Sequence, residues 1–210
     1  MTDSAFHNVA GVVLAGGLSR RMDGRDKALI PLGGRPMIAH VLERLAPQVD
    51  AIAINANGDP ARFATFGVPV LADTIPGHAG PLAGILTAMR WARESRHATH
   101  VVTAAADTPF FPPDLVSRLR ATSADQGTIV MARSPTGSHP VFALWPVALA
   151  DDLETWIQVS DTLKVTAWAG RHASIACDFT LRDDGYDPFF NVNTQRDLDE
   201  AEAMLQMAKA

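Results

Sequence analysis

Val12-Val13-Leu14-Ala15-Gly16-Gly17-Leu18-Ser19-Arg20-Arg21-Met22-Asp23-Gly24-Arg25-Asp26-Lys27 is the stretch on which the reading of this chain turns. It continues an apolar run that begins at Val9, and Val9–Leu14 reads as a strand buried on both faces. Gly16 and Gly17 carry no Cβ, so their amides can approach a ligand closely and adopt positive φ. Successive amides in such a turn make a concave site for an anion. Arg20, Arg21, Arg25 and Lys27 then add cations to the loop before a helical pattern starts at Arg35. Strand, glycines and cations together predict a polyphosphate cradle. It is not a P-loop, because Gly24 is followed by Arg25-Asp26-Lys27-Ala28 rather than Gly-Lys-Ser/Thr. Nor does the spacing of Gly16, Gly17 and Gly24 fit a dinucleotide fingerprint.

The rest of the composition is that of an ordinary globular enzyme. The 210 residues are 47% hydrophobic and 20% charged, which suits one large domain, 1–210, with a substantial core. A net charge of −5 argues against general nucleic-acid binding, so the loop cations matter only where they cluster. Cys177 is the only cysteine, which excludes an internal disulfide and any multi-thiolate metal site. The first eight residues lack a basic n-region, and no apolar run reaches membrane-spanning length. The expectation is a cytoplasmic protein without a membrane partner.

Outward from the loop, short apolar runs alternate with helical patterns, which predicts an α/β fold with helices on both faces of a sheet. Pro36 opens a helix carrying Met37, Ile38, Val41, Leu42 and Leu45, and Pro47 ends it. Residues 51–54 form a second strand, a short helix runs through Phe63 and Phe66, and 68–72 form a third strand. A loop at 74–81 leads into a helix with Leu82, Ile85, Leu86, Met89 and Trp91. His100–Ala105 is a fourth strand, and Pro112-Pro113-Asp114 opens a helix with Leu115, Val116 and Leu119. Residues 128–132 and 141–144 are strands on either side of a loop at 134–140. Residues 146–170 are mostly helical with a break near Ser160, and Ser174–Asp178 is an edge strand. Thr194 reads as the N-cap of an amphipathic terminal helix bearing Leu198, Ala201, Met204 and Leu205.

Polar residues recur where these strands end: the glycine loop, then Asn55, Asp73 and Asp107. In open α/β sheets ligands bind at that edge, so these residues converge if the strands are parallel neighbours. Carboxylates beside a polyphosphate suit Mg²⁺, which takes one or two of them together with phosphate oxygens and water. Asp73 and Asp107 also fit simple Asx-turns, and Asn57 before Gly58 reads as a turn residue. His78 and His100 read as incidental, His139 as a loop histidine or a substrate contact, and the four tryptophans as core.

Leu14-Ala15-Gly16-Gly17, Ser19-Arg20-Arg21-Met22 and Asp26-Lys27 resemble the opening loop of the nucleotidyltransferases that join a nucleoside triphosphate to a phosphorylated partner. Within that group the chain most resembles the molybdenum cofactor guanylyltransferases. Gly80-Pro81-Leu82-Ala83-Gly84-Ile85, Ala106-Asp107-Thr108-Pro109, His139-Pro140 and Asn191-Val192-Asn193-Thr194 extend the likeness. Asp23 departs from it, standing where the family commonly has glycine. The resemblance implies a three-layer α/β/α sandwich on a mostly parallel, Rossmann-like sheet of the nucleotide-diphospho-sugar transferase type. It implies a nucleotide-binding half at about 8–110 and an acceptor half at about 111–210. GTP contacts then fall to Leu14, Ala15, Gly16, Gly17, Lys27, Asn55, Asp73, Gly80 and Asp107, with Mg²⁺ on Asp107. His139, Asn191 and Asn193 border the molybdopterin side, and Lys27, Arg20 and Arg21 stabilise the leaving pyrophosphate.

The reaction implied is attack by the terminal phosphate of molybdopterin on the α-phosphorus of GTP. A phosphate monoester has a second pKa of about 6, so it is mostly ionised at neutral pH and needs no side-chain nucleophile. The chain accordingly offers no convincing Ser/His/Asp or Cys/His arrangement. Molybdoenzymes or their chaperones would receive the product. Two rivals stand beside this reading. One is a related transferase with another base or acceptor, such as a cytidylyltransferase of the same cofactor or a sugar-phosphate enzyme. The other is a non-catalytic nucleotide-binding module that delivers cofactor.

Overall fold

A computed structural model describes residues 9–16, 26–75 and 80–207. Inside its sheet lies β1 (Val9–Leu14), every residue of which is buried. Val9 and Val13 enter one core cluster, while Ala10, Val12 and Leu14 enter another, so the alternation of a strand feeds two apolar layers. The first layer is supplied by α1 (Met37–Leu45) and α3 (Leu115–Thr122). The second comes from α2 (Pro81–Arg96), α4 (Ala150–Val159) and α5 (Val165–Ala169). The result is the expected helix–sheet–helix sandwich.

Six further strands complete the sheet: β4 (Ala51–Asn55), β5 (Val70–Leu71), β6 (His100–Ala105), β7 (Ile129–Ser134), β8 (Gly137–Pro146) and β9 (Ser174–Asp178). Their order is β5-β4-β1-β6-β8-β7-β9. The first four are parallel, as the convergence argument required. Then the direction reverses: β8 runs antiparallel to β6, with Thr103 opposite Ala143. The amino end of β8 therefore meets the carboxyl ends of its neighbours at one edge of the sheet.

Two short segments depart from the sequence reading. Residues 134–140, expected as a loop, are mostly strand, because β7 and β8 form a hairpin closed between Ser134 and Gly137. The ladder slips between Met131 and Ala132, and Pro140 falls inside that bulge, where its missing N–H breaks no pairing. The second segment is a small hairpin of β2 (Pro31–Leu32) and β3 (Arg35–Pro36). Gly33 and Gly34 turn it with φ of +59° and +78°, the pair of positive values that a type I′ turn demands.

The terminal helix α6 (Gln195–Met207) starts where expected. Thr194 Oγ1 accepts from Asp197 N at 3.2 Å, and Asp197 Oδ2 accepts from the N–H groups of Asn193 and Thr194 at 2.8 Å each. This reciprocal cap satisfies donors that a helix start otherwise leaves unpaired. Ala201 and Met204 then pack on Leu32, Met37, Phe110 and Val192, which fixes the helix and the segment before it to the small hairpin.

Candidate active site

One row of the sheet defines the site's floor. Leu71 pairs with Asn55, Asn55 with Leu14, and Leu14 with Ala105, so four parallel strands end level. Ala15, Asp73 and Asp107 lie one or two residues past that row, and Gly16 lies beside Ala15. Strand ends alone predict this convergence, and the register agrees.

Lys27 enters from a single 3₁₀ turn, Lys27–Leu29, capped by Asp26, whose Oδ1 accepts from Ala28 N at 3.2 Å. Asp26 is itself held by Arg62 at 3.2 Å. From this base the Lys27 ammonium reaches Asp107 Oδ2 at 2.5 Å, Asn193 Oδ1 at 2.6 Å and Asn191 Oδ1 at 3.4 Å. Asn191 Nδ2 donates in turn to Asp107 Oδ1 at 3.1 Å, and Val192 N donates to Asp107 O at 2.9 Å. Along 191–193, Val192 goes into the core while both asparagines face Lys27. Asn191 and Asn193, expected to border the molybdopterin side of the cleft, are in contact with Lys27, and Asn191 also with Asp107.

A second cluster surrounds Asp73. Asn55 Nδ2 donates to Asp73 Oδ1 at 2.9 Å and to Leu71 O at 3.1 Å, while Asn57 Nδ2 donates to Asp73 Oδ2 at 2.7 Å. Asn57 Oδ1 accepts from Asp73 N at 2.9 Å. Asn57, read from sequence as a turn residue, is the clamp on this carboxylate. Asn55 is 2% exposed, and a Cβ on Gly84 of α2 would stand 2.5 Å from its Oδ1. Gly84 therefore lets the helix approach the strand closely enough to enclose Asn55, a role that periodicity could not reveal. Gly80 precedes α2 at φ +58° and ψ −144°, a conformation open essentially to glycine alone.

His139 belongs to a third cluster at the amino end of β8. Its Nε2 lies 2.7 Å from Ser134 Oγ, and its ring stacks on Phe189 with centroids 4.5 Å apart. Ser134 and Thr136 both donate to Asp187 Oδ2, at 2.5 and 2.6 Å, and Phe189 N donates to Asp187 Oδ1 at 2.7 Å. Burial pushes the Asp187 carboxyl upward, but these three bonds together outweigh it and the net shift is down. An ionised carboxylate only accepts, so both hydroxyl protons are committed to it. Ser134 Oγ must then accept from His139 Nε2–H, which leaves Nδ1 of the neutral ring as an acceptor. Burial lowers the His139 pKa, with Asp187 opposing, so the ring is neutral near pH 7. Ser134, Thr136 and Asp187 were not anticipated, and this is not a nucleophilic triad, since the serine proton points to the acid and away from the histidine.

Gly17, Arg20 and Arg21 lie outside the described residues. His100 is a buried core histidine bonded through Nε2 to Gln126 O at 3.1 Å, in keeping with its incidental reading. Among the described residues no cluster of three or more His, Cys, Asp or Glu gathers as a metal site. A hard divalent ion nonetheless fits at Asp107, where one carboxylate and two asparagine amide oxygens converge, all of the oxygen type that Mg²⁺ prefers.

Residues 11–174 match the model of the MobA-like NTP transferase domain. A protein from Mesorhizobium japonicum named molybdenum cofactor guanylyltransferase is 48% identical over 201 residues, covering 95% of this chain and 97% of its own. The crystal structure of molybdopterin-guanine dinucleotide biosynthesis protein A from Archaeoglobus fulgidus superposes with a TM-score of 0.70 at 25% identity, over 94% of this chain and 99% of that one. A Mycobacterium tuberculosis protein crystallised with manganese shares the fold at a TM-score of 0.63 and 20% identity, over 94% of this chain and 99% of that one.

Proposed function

This chain belongs to the molybdenum cofactor guanylyltransferases of the MobA-like NTP transferase family, and from that premise we propose that it transfers GMP from GTP to molybdopterin. The terminal phosphate oxygen of molybdopterin forms the new bond to the α-phosphorus, and the bond from that phosphorus to the leaving pyrophosphate breaks. The products are molybdopterin guanine dinucleotide and pyrophosphate. The observation that carries this reading is the convergence of Lys27, Asp107, Asn191 and Asn193 at the carboxyl edge of the parallel strands, beside the glycine loop.

Lys27 aligns and neutralises the phosphates, and the amides after β1, with Gly17, Arg20 and Arg21 of the same loop, complete the cradle. Asn55 and Asp73, held by Asn57, border the nucleoside, as do Leu14, Ala15, Gly16 and Gly80. His139, with its Nδ1 lone pair, faces the acceptor and takes a hydrogen bond from it. Mg²⁺, bound at Asp107, would supply further charge neutralisation between phosphates. The protein acts in the cytoplasm and passes its product to molybdoenzymes or their chaperones.

The test is mass-spectrometric identification of the product from molybdopterin, GTP and Mg²⁺. Molybdopterin guanine dinucleotide with stoichiometric pyrophosphate supports the reading. A cytidine product formed from CTP in preference would move the chain to the sister activity, and nucleotide binding without pyrophosphate release would make it a delivery module.

A further inference from the structure

The ammonium of Lys27 occupies a distinctive position. Asp107 Oδ2 at 2.5 Å, Asn193 Oδ1 at 2.6 Å and Asn191 Oδ1 at 3.4 Å converge on it. These are carboxylate and amide oxygens, the ligands of a hard divalent cation, and the amides cannot titrate. The lysine charge therefore sits where such an ion would find its protein ligands, and two cations sharing those oxygens would repel strongly. Lysine carries its charge on a flexible four-carbon stem, so it can leave the oxygens for a stronger anionic partner. A triphosphate seated on the glycine loop is such a partner.

We propose that the oxygen cage of Asp107, Asn191 and Asn193 holds one cation at a time, the Lys27 ammonium in the nucleotide-free protein and a divalent metal ion once a triphosphate draws Lys27 away. Asn191 and Asn193 are then metal ligands alongside Asp107. The metal binds poorly before the nucleotide, and Lys27 delivers its charge to the phosphates only as the metal enters. This inference rests on the proposed function for the identity of the triphosphate, while its first test uses no nucleotide.

Mn²⁺ serves as the probe, with the free-ion signal followed by electron paramagnetic resonance on the full-length, nucleotide-free protein. Lys27→Met is expected to bind Mn²⁺ on the order of tenfold more tightly than the parent chain, through loss of a competing charge. Lys27→Arg keeps the charge and stays weak. Asn193→Ala added to Lys27→Met reverses most of the gain. Arg35→Gln removes an exposed cation that pairs with Glu43 and leaves the affinity unchanged. Lys27→Met binding no better than the parent overturns the proposal, as does an equal gain from Arg35→Gln, which would mean a general field effect. A second measurement needs no substitution: acylation of Lys27, mapped by mass spectrometry, should rise when millimolar Mn²⁺ is added to the unaltered protein. No rise also overturns the shared cage. Failure of GTP to bind would sink the proposed function instead and leave these Mn²⁺ results standing.

Discussion

On the proposed function Lys27→Ala removes one cation from the phosphates, and turnover should fall on the order of a hundredfold. Steady-state pyrophosphate release measures this, and near-normal rates would take Lys27 out of the chemistry. His139 makes a different prediction. Burial holds its pKa, and that of His100, below the ordinary histidine value of about 6.5. The unfolded chain therefore takes up protons that the native protein resists. Stability present above about 6.5 is lost as pH falls from there toward the folded values. Urea midpoints should be lower at about pH 5.5 than at about 7.5, and the drop should shrink in His139→Gln, whose amide can replace the Nε2–H. An undiminished drop would mean that His139 does not titrate in this way. Lys27 and Asp107 could be read from sequence because each follows a strand end or a glycine loop. Asp187 could not, since its partners Ser134 and Thr136 are 53 and 51 residues away and it lies in a polar stretch without periodicity.

Helix α2 and strand β1 meet through a glycine, and this contact is where an added methyl group should be felt most. A Cβ at Gly84 would stand 2.5 Å from Asn55 Oδ1 and 3.1 Å from Leu14 Cδ2. Asn55 is tied to Asp73 and to Leu71 O, so it cannot turn aside without breaking those bonds. Gly84→Ala should cost about 1–3 kcal/mol of stability, as overpacking does. It should also weaken nucleotide binding, which equilibrium urea unfolding and calorimetry with GTP would register. Wild-type stability together with wild-type affinity would show that the asparagine has room to move. The helical pattern of α2 was plain from its apolar spacing, but the need for glycine on its inner face depends on a strand distant in sequence. The two hairpins were hidden for related reasons. In one, Gly33-Gly34 joins strands of only two residues each, too short for alternation to show. In the other, Pro140 reads as a strand breaker until the bulge that accommodates it is seen.

Across the whole molecule, ligand binding should register as stability. GTP with Mg²⁺ at about a hundred times its dissociation constant should add about 2.7 kcal/mol and raise the melting temperature. CTP at the same concentration should raise it less, and an equal or larger shift would favour the cytidine rival. Among the described residues no helix is long and apolar enough to cross a membrane. The parallel half of the sheet could be read because each apolar run ends in glycine, asparagine or aspartate. The reversal at β8 could not, because hydrophobic alternation carries no strand direction. Asn193 stands 166 residues after Lys27, yet their side chains touch. A ribosome must therefore carry synthesis through residue 193, past every strand of the sheet, before this contact can close. Nascent chains that have not yet reached residue 191 lack both amide partners of the lysine, so the cluster assembles only late in synthesis.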